Sequence, residues 1–126
     1  VVLLSDEEAK TEALSTADVI AATTNTTKPL WEDGSILKKG CVITGIGSYT
    51  PQMQEIPPSA VDRCHIIIDT PEAMSVGDLK HLGSLEESKH AITMAGDAFK
   101  DPSSIGKDMD CIFYKAVGTA IQDVLT

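Results

Sequence analysis

Three groups of residues in this chain have types and spacing suited to chemistry. The first is Gly45-Ile46-Gly47-Ser48-Tyr49-Thr50-Pro51, which follows the apolar run Cys41-Val42-Ile43-Thr44. Glycines just after a strand let the backbone approach a ligand, and a G-x-G-x-x-G turn at such a place cradles a dinucleotide phosphate. Here the sixth position is Thr50, so the phosphate reading fails. The second group is Thr23-Thr24-Asn25, which closes the run Val19-Ile20-Ala21-Ala22. Small hydroxyls at the carboxyl end of a parallel strand stand where an α/β sheet meets its ligand, although the same residues also serve to end a strand and begin a turn. The third is Lys115-Ala116-Val117-Gly118, after the run Cys111-Ile112-Phe113-Tyr114. A tight strand-to-helix turn with a packing glycine explains it equally well. His65, His81 and His90 lack ligand spacing with any cysteine or carboxylate pair, so no metal is expected. Asp69 reads as a turn residue rather than a catalytic acid.

The elements that must carry these groups alternate. Val1–Leu4 is a short, fully apolar run, the pattern of a strand buried on both faces. Ser5 with Glu8 predicts a capping box opening a helix from about Asp6 to Leu14. A second strand ends near Thr24, residues 31–39 form a short helix or loop closed by Gly40, and a third strand spans Cys41 to Ile46. Pro57 and Pro58 suit the first turn of a helix, His65–Asp69 forms the fourth strand, and Thr70-Pro71-Glu72 starts another helix. A helix is expected across Leu85–Ala95, a last strand at Cys111–Tyr114, and an amphipathic helix over Ala116–Leu125. Solidly apolar strands alternating with helices predict an α/β domain whose mostly parallel sheet is covered on both faces.

At 126 residues the chain has room for one compact domain. The net charge of −9 argues against nucleic acid or an anionic membrane as partner. No apolar run approaches the ~20 residues of a membrane helix. Cys41, Cys64 and Cys111 are odd in number and widely spaced, which suits free buried thiols in the cytoplasm.

Read in order, ADVIAATTNTTKPLW, GCVITGIGSYTPQMQEI, IIIDTPEAMSVGDL and FYKAVGTAIQDV resemble the ornithine cyclodeaminase/mu-crystallin family over nearly the whole chain. The resemblance implies that residues 1–126 form the C-terminal part of a Rossmann-type NAD(P)-binding domain. On this reading the domain is an incomplete three-layer α/β unit lacking its first strand and glycine-rich loop, and the dimerisation and substrate domain is also absent. It implies NAD or NADP as cofactor, an amino acid or imine as small-molecule substrate, and a homodimeric parent. The expected activity is hydride transfer of the ketimine reductase or amino-acid dehydrogenase type. The alternatives are an ornithine cyclodeaminase-type lyase and a non-catalytic crystallin-like binding protein, and the chain alone is expected to be inactive.

The resemblance also implies which residues meet the cofactor: Thr23, Thr24, Ile46, Gly47, Ser48, Tyr49, Ala116 and Val117. Tyr49 doubles as the catalytic candidate. It stands where the lyase branch carries the aspartate that moves the substrate proton, and a phenol with a reference pKa near ~10 is a poor replacement base. Met53 stands where the lyase has a cofactor-contacting lysine, and Ala116 replaces a serine. These departures point away from ornithine cyclisation and toward imine reduction or amino-acid dehydrogenation.

Overall fold

The computed structural model describes residues 5–106 and 108–118. The expected strand at Val1–Leu4 lies outside them, as does the expected C-terminal helix beyond Gly118. Within them the chain forms α1 (Glu7–Thr16), β1 (Val19–Ala22), β2 (Val42–Gly45), α2 (Pro58–Val61), β3 (Cys64–Ile68), β4 (Ile92–Met94), α3 (Ala95–Lys100) and β5 (Cys111–Lys115). Short 3-10 turns occupy Gly34–Ile36, Pro71–Ser75, Lys80–Leu82 and Pro102–Ser104. The five strands form one sheet in the order β1-β2-β5-β3-β4, and every pairing is parallel. The non-consecutive order places β5 in the middle, where the last described strand closes the sheet.

Period-two alternation decides which face each side chain meets. Ile43 on β2 and Phe113 on β5 point into a core shared with Ile66, Ile68, Ile56 and Leu79. The opposite face carries Val42, Ile67, Ile112 and Tyr114, and α3 packs beside them to leave an open apolar groove. Phe99 of α3 stands at its rim, 86% exposed. At the sheet edge, Val19 of β1 is 63% exposed.

Four local expectations change. The cap of α1 is Asp6, whose carboxylate accepts from the Ala9 amide at 3.1 Å, rather than Ser5. An ionised acceptor also suits the positive end of the helix dipole better than a hydroxyl. Thr70 opens its turn without a side-chain cap. Residues 116–118 leave β5 without entering a helix. The helix expected over Leu85–Ala95 does not form: Ile92–Met94 pair with Ile66–Ile68 as β4, and α3 begins only at Ala95. Ile92 and Thr93 are β-branched, and the hydrogen bonds of the β3 edge outweigh a weak helical pattern.

Candidate functional site

Parallel register assembles the site. Ala22 pairs with Gly45, Gly45 with Lys115, and Lys115 with Ile68. The next residues, Thr23, Ile46, Ala116 and Asp69, therefore leave four adjacent strands at the same carboxyl edge. This is the edge at which parallel α/β sheets meet ligands.

Beneath that crest lies a cluster of buried charge. Glu55, Asp78 and Lys115 are all fully buried, and so is Ser48. The Glu55 carboxylate accepts on Oε1 from the Thr24 amide and from Thr24 Oγ1 at 2.8 Å, and on Oε2 from the Ser48 amide at 3.1 Å. Asp78 Oδ1 accepts from the amides of Glu55 (2.7 Å) and Ile56 (3.0 Å). Lys115 Nζ donates to the Ser48 carbonyl and pairs with Asp78 Oδ2 at 3.1 Å. The contact with Oδ2 is coulombic, because that oxygen takes no directed hydrogen bond. Each buried charge is thus matched by an opposite charge or by backbone donors, as burial requires.

Two glycines permit the close packing around this cluster. A Cβ on Gly47 would overlap the Thr24 backbone and lie 2.7 Å from Glu55 Oε1. A Cβ on Gly77 would fall on the Met53 carbonyl, 2.6 Å from its carbon. The Thr23–Thr24 end of β1 and the loop after β2 can therefore touch backbone to backbone.

A third carboxylate holds the turn after β5. Asp69 Oδ2 accepts from the amides of Val117 and Gly118, each at 3.0 Å, and its Oδ1 accepts from the Thr70 amide at 2.8 Å. This agrees with the turn role read for Asp69 from the sequence. The Ala116 amide donates to the Gly45 carbonyl at 3.1 Å, so the amides of residues 116–118 are all committed.

The sequence-derived residues divide by exposure. Ile46 and Tyr49 are exposed at 53% and 60%, Thr23 is also exposed, and Thr24, Gly47 and Val117 are half-buried. Ala116 is buried. Ser48, expected at the cofactor, is fully buried, and its hydroxyl donates inward to the Met53 carbonyl at 2.9 Å, so its side chain is committed to the protein. Sequence reasoning overlooked Glu55 and Asp78 and treated Lys115 only as part of a turn. Lys115 carried a readable signal: it continues the inward alternation of Cys111 and Phe113. Glu55, set just before Ile56-Pro57, carried a fainter one.

The three cysteines are free and buried, and burial pushes all three thiols upward. Among the described residues no helix is long and apolar enough to cross a membrane.

The family model described as "Ornithine cyclodeaminase/mu-crystallin family" matches residues 4–126. The chain belongs to this family. Among curated members, a Delta(1)-pyrroline-2-carboxylate reductase of Bacillus cereus is 30% identical over 120 residues, covering 90% of this chain and 36% of the relative. The ketimine reductase mu-crystallin of Macropus fuliginosus is 26% identical over 120 residues, covering 90% of this chain and 35% of the relative. The chain therefore spans about a third of the length of these relatives. Among solved structures, a probable ornithine cyclodeaminase from Bordetella pertussis Tohama I superposes with a TM-score of 0.78 at 24% identity, over 92% of this chain and 38% of that one. The Delta(1)-pyrroline-2-carboxylate reductase of Thermococcus litoralis, solved with NADH and L-proline, gives a TM-score of 0.71 at 19% identity, over 90% and 36%. Both likenesses support the Rossmann-like α/β architecture of this family member.

Proposed function

We propose that this chain is the nicotinamide-side, C-terminal part of the NAD(P)-binding domain of an imine reductase, in a parent that works as a cytoplasmic homodimer. The observation that carries the reading is the crest itself. Register brings Thr23, Ile46 and Ala116 to one edge, and two carboxylates, the buried Glu55 and the half-buried Asp69, stiffen the backbone on either side of it. The exposed residues there suit a flat, weakly polar ring: Ile46 and Tyr49 offer surface, and Gly47 brings backbone close. The sequence contains no G-x-G-x-x-G turn to take the pyrophosphate, so that contact is assigned to the part of the parent that these residues do not supply.

On this reading Thr23, Thr24, Ile46, Gly47, Tyr49, Ala116 and Val117 hold the nicotinamide end. The bound nucleotide supplies the hydride for an imine carbon. Tyr49 donates a hydrogen bond to the ligand at the rim, and its exposure supports that role. Reduction is favoured over ornithine cyclisation because neither Tyr49 nor Met53 provides the base or cation of the lyase. The substrate class follows from the reductase names among the relatives, and the free, buried thiols support the compartment.

The test is spectrophotometric. The intact parent protein is mixed with NADH or NADPH and either a panel of cyclic ketimines or pyruvate plus ammonia, and with NAD+ or NADP+ and either proline or ornithine. Ammonia release is followed for ornithine, because its cyclisation leaves the nucleotide unchanged overall. Nucleotide oxidation by a cyclic imine is expected. Binding of nucleotide without turnover across the panel would replace this reading with that of a crystallin-like binding protein.

A further inference from the structure

The buried charge cluster does more than satisfy itself. Glu55 bridges two segments that adjoin on the crest but are distant in sequence, the end of β1 and the loop after β2. Three donors converge on its two oxygens: the Thr24 amide and hydroxyl on one, the Ser48 amide on the other. Only a carboxylate accepts on both sides, since an amide side chain would turn an NH2 toward one set of donors. The Glu55 backbone is fixed in turn. Its amide donates to Asp78, its carbonyl accepts from the Leu30 amide at 2.8 Å, and the neighbouring Gln54 amide donates to the Thr26 carbonyl at 3.0 Å. Lys115 closes the circuit by holding both Asp78 and the Ser48 carbonyl.

We propose that Glu55 is the positioning residue of the nucleotide site: its buried carboxylate sets the separation between Thr24 and Ser48, and hence the backbone height of Gly47 beneath the nicotinamide. The proposal rests on the NAD(P) reading given above. Glu55 itself touches no ligand. It acts through Thr24 and Ser48, and the absence of a side chain at Gly47 lets the two segments close on its carboxylate.

The experiment compares the intact wild-type protein with E55Q and E55D. E55Q keeps the size and reverses one acceptor, whereas E55D keeps the charge and is too short to span both segments. Nucleotide affinity is read from NADH fluorescence, KM and kcat from steady-state turnover, and the exchange of the Thr24 and Ser48 amides from NMR. Both variants are expected to weaken nucleotide binding by about 10-fold or more, the usual scale for a lost hydrogen bond to a charged group. The nucleotide KM should rise while kcat at saturation is retained. Both amides should exchange slowly in the wild type and faster in E55D.

A Glu55 with only a core role would lower the melting temperature and leave nucleotide KM unchanged in the folded variants, and that result overturns the proposal. Fast wild-type exchange at Thr24 or Ser48 overturns it as well, even when neither variant folds. A wild-type protein that binds no nucleotide sinks the NAD(P) reading instead, and the exchange data still decide whether Glu55 locks the two segments.

Discussion

Replacing Lys115 with methionine tests whether the charge cluster holds the centre of the sheet together. Methionine conserves most of the apolar stem, so the loss is confined to the ammonium group. In the wild type that group is wholly buried, 3.1 Å from Asp78 Oδ2, and also donates to the Ser48 carbonyl. Its removal leaves the buried Asp78 carboxylate without a counter-charge, held only by the Glu55 and Ile56 amides, and strips the buried Ser48 carbonyl of its lysine donor. Breaking one side of a buried pair costs about 3–5 kcal/mol, chiefly because the remaining charge stays desolvated. A chain of 126 residues has a total stability of roughly 6–19 kcal/mol, so K115M should forfeit a large share of it. The assay is urea unfolding followed by far-UV circular dichroism. With a slope of about 1–3 kcal/mol/M, the midpoint should fall by roughly 2 M. The D78N/K115M double variant carries no stranded carboxylate, so it should be more stable than the sum of the single losses predicts, by about 2 kcal/mol. Losses that add strictly, or a K115M effect below about 1 kcal/mol, would refute the view that Lys115 and Asp78 act as a pair.

Two further perturbations probe packing and protonation. G77A should destabilise by about 2 kcal/mol or more, because its methyl group would strike the Met53 carbonyl, while G96A meets open space within α3 and should gain a few tenths to about 1 kcal/mol. Equal melting temperatures for the two variants would contradict the contact geometry. His65 is held neutral by burial, which lowers its pKa below 6.5, and its Nδ1 accepts from the Gly106 amide at 3.2 Å. The unfolded chain therefore binds more protons than the folded one between that lowered value and about 6.5, and the His65 contribution is full above this window and lost as pH falls through it. The wild type should lose stability on acidification from pH 7 to pH 5, and H65N should lose less; identical slopes would exclude His65 as the source.

The parallel sheet was legible because its strands are short apolar runs, and four of the five could be placed to within a residue or two. β4 was hidden because Ile92-Thr93-Met94 is too short to show a period, and only pairing with β3 makes it a strand. The residues at the carboxyl edge came from the family resemblance together with the glycine and threonine positions at strand ends. The buttress behind them was harder to see. Glu55 and Asp78 are acids in a chain of net charge −9, where an acid is ordinarily taken for surface. No local pattern shows that residues 55, 78 and 115 converge, since only the register of β2 with β5 brings Lys115 beneath Ser48.

That convergence separates two kinds of residue at the crest. Much of the polar capacity near it is turned inward: the Ser48 hydroxyl serves Met53, and the amides of residues 116–118 serve Gly45 and Asp69. What faces outward at Ile46 and Tyr49 is mainly surface and shape. On the proposed reading, the chain recognises the nicotinamide ring chiefly through backbone contour, and the contour is set by carboxylates that never meet it. Substitutions at Tyr49 would then change how a substrate is received without disturbing assembly, whereas substitutions at Glu55, Asp78 or Lys115 would shift the contour. A site built this way tolerates variation at its exposed rim, because the constraint lies one layer beneath.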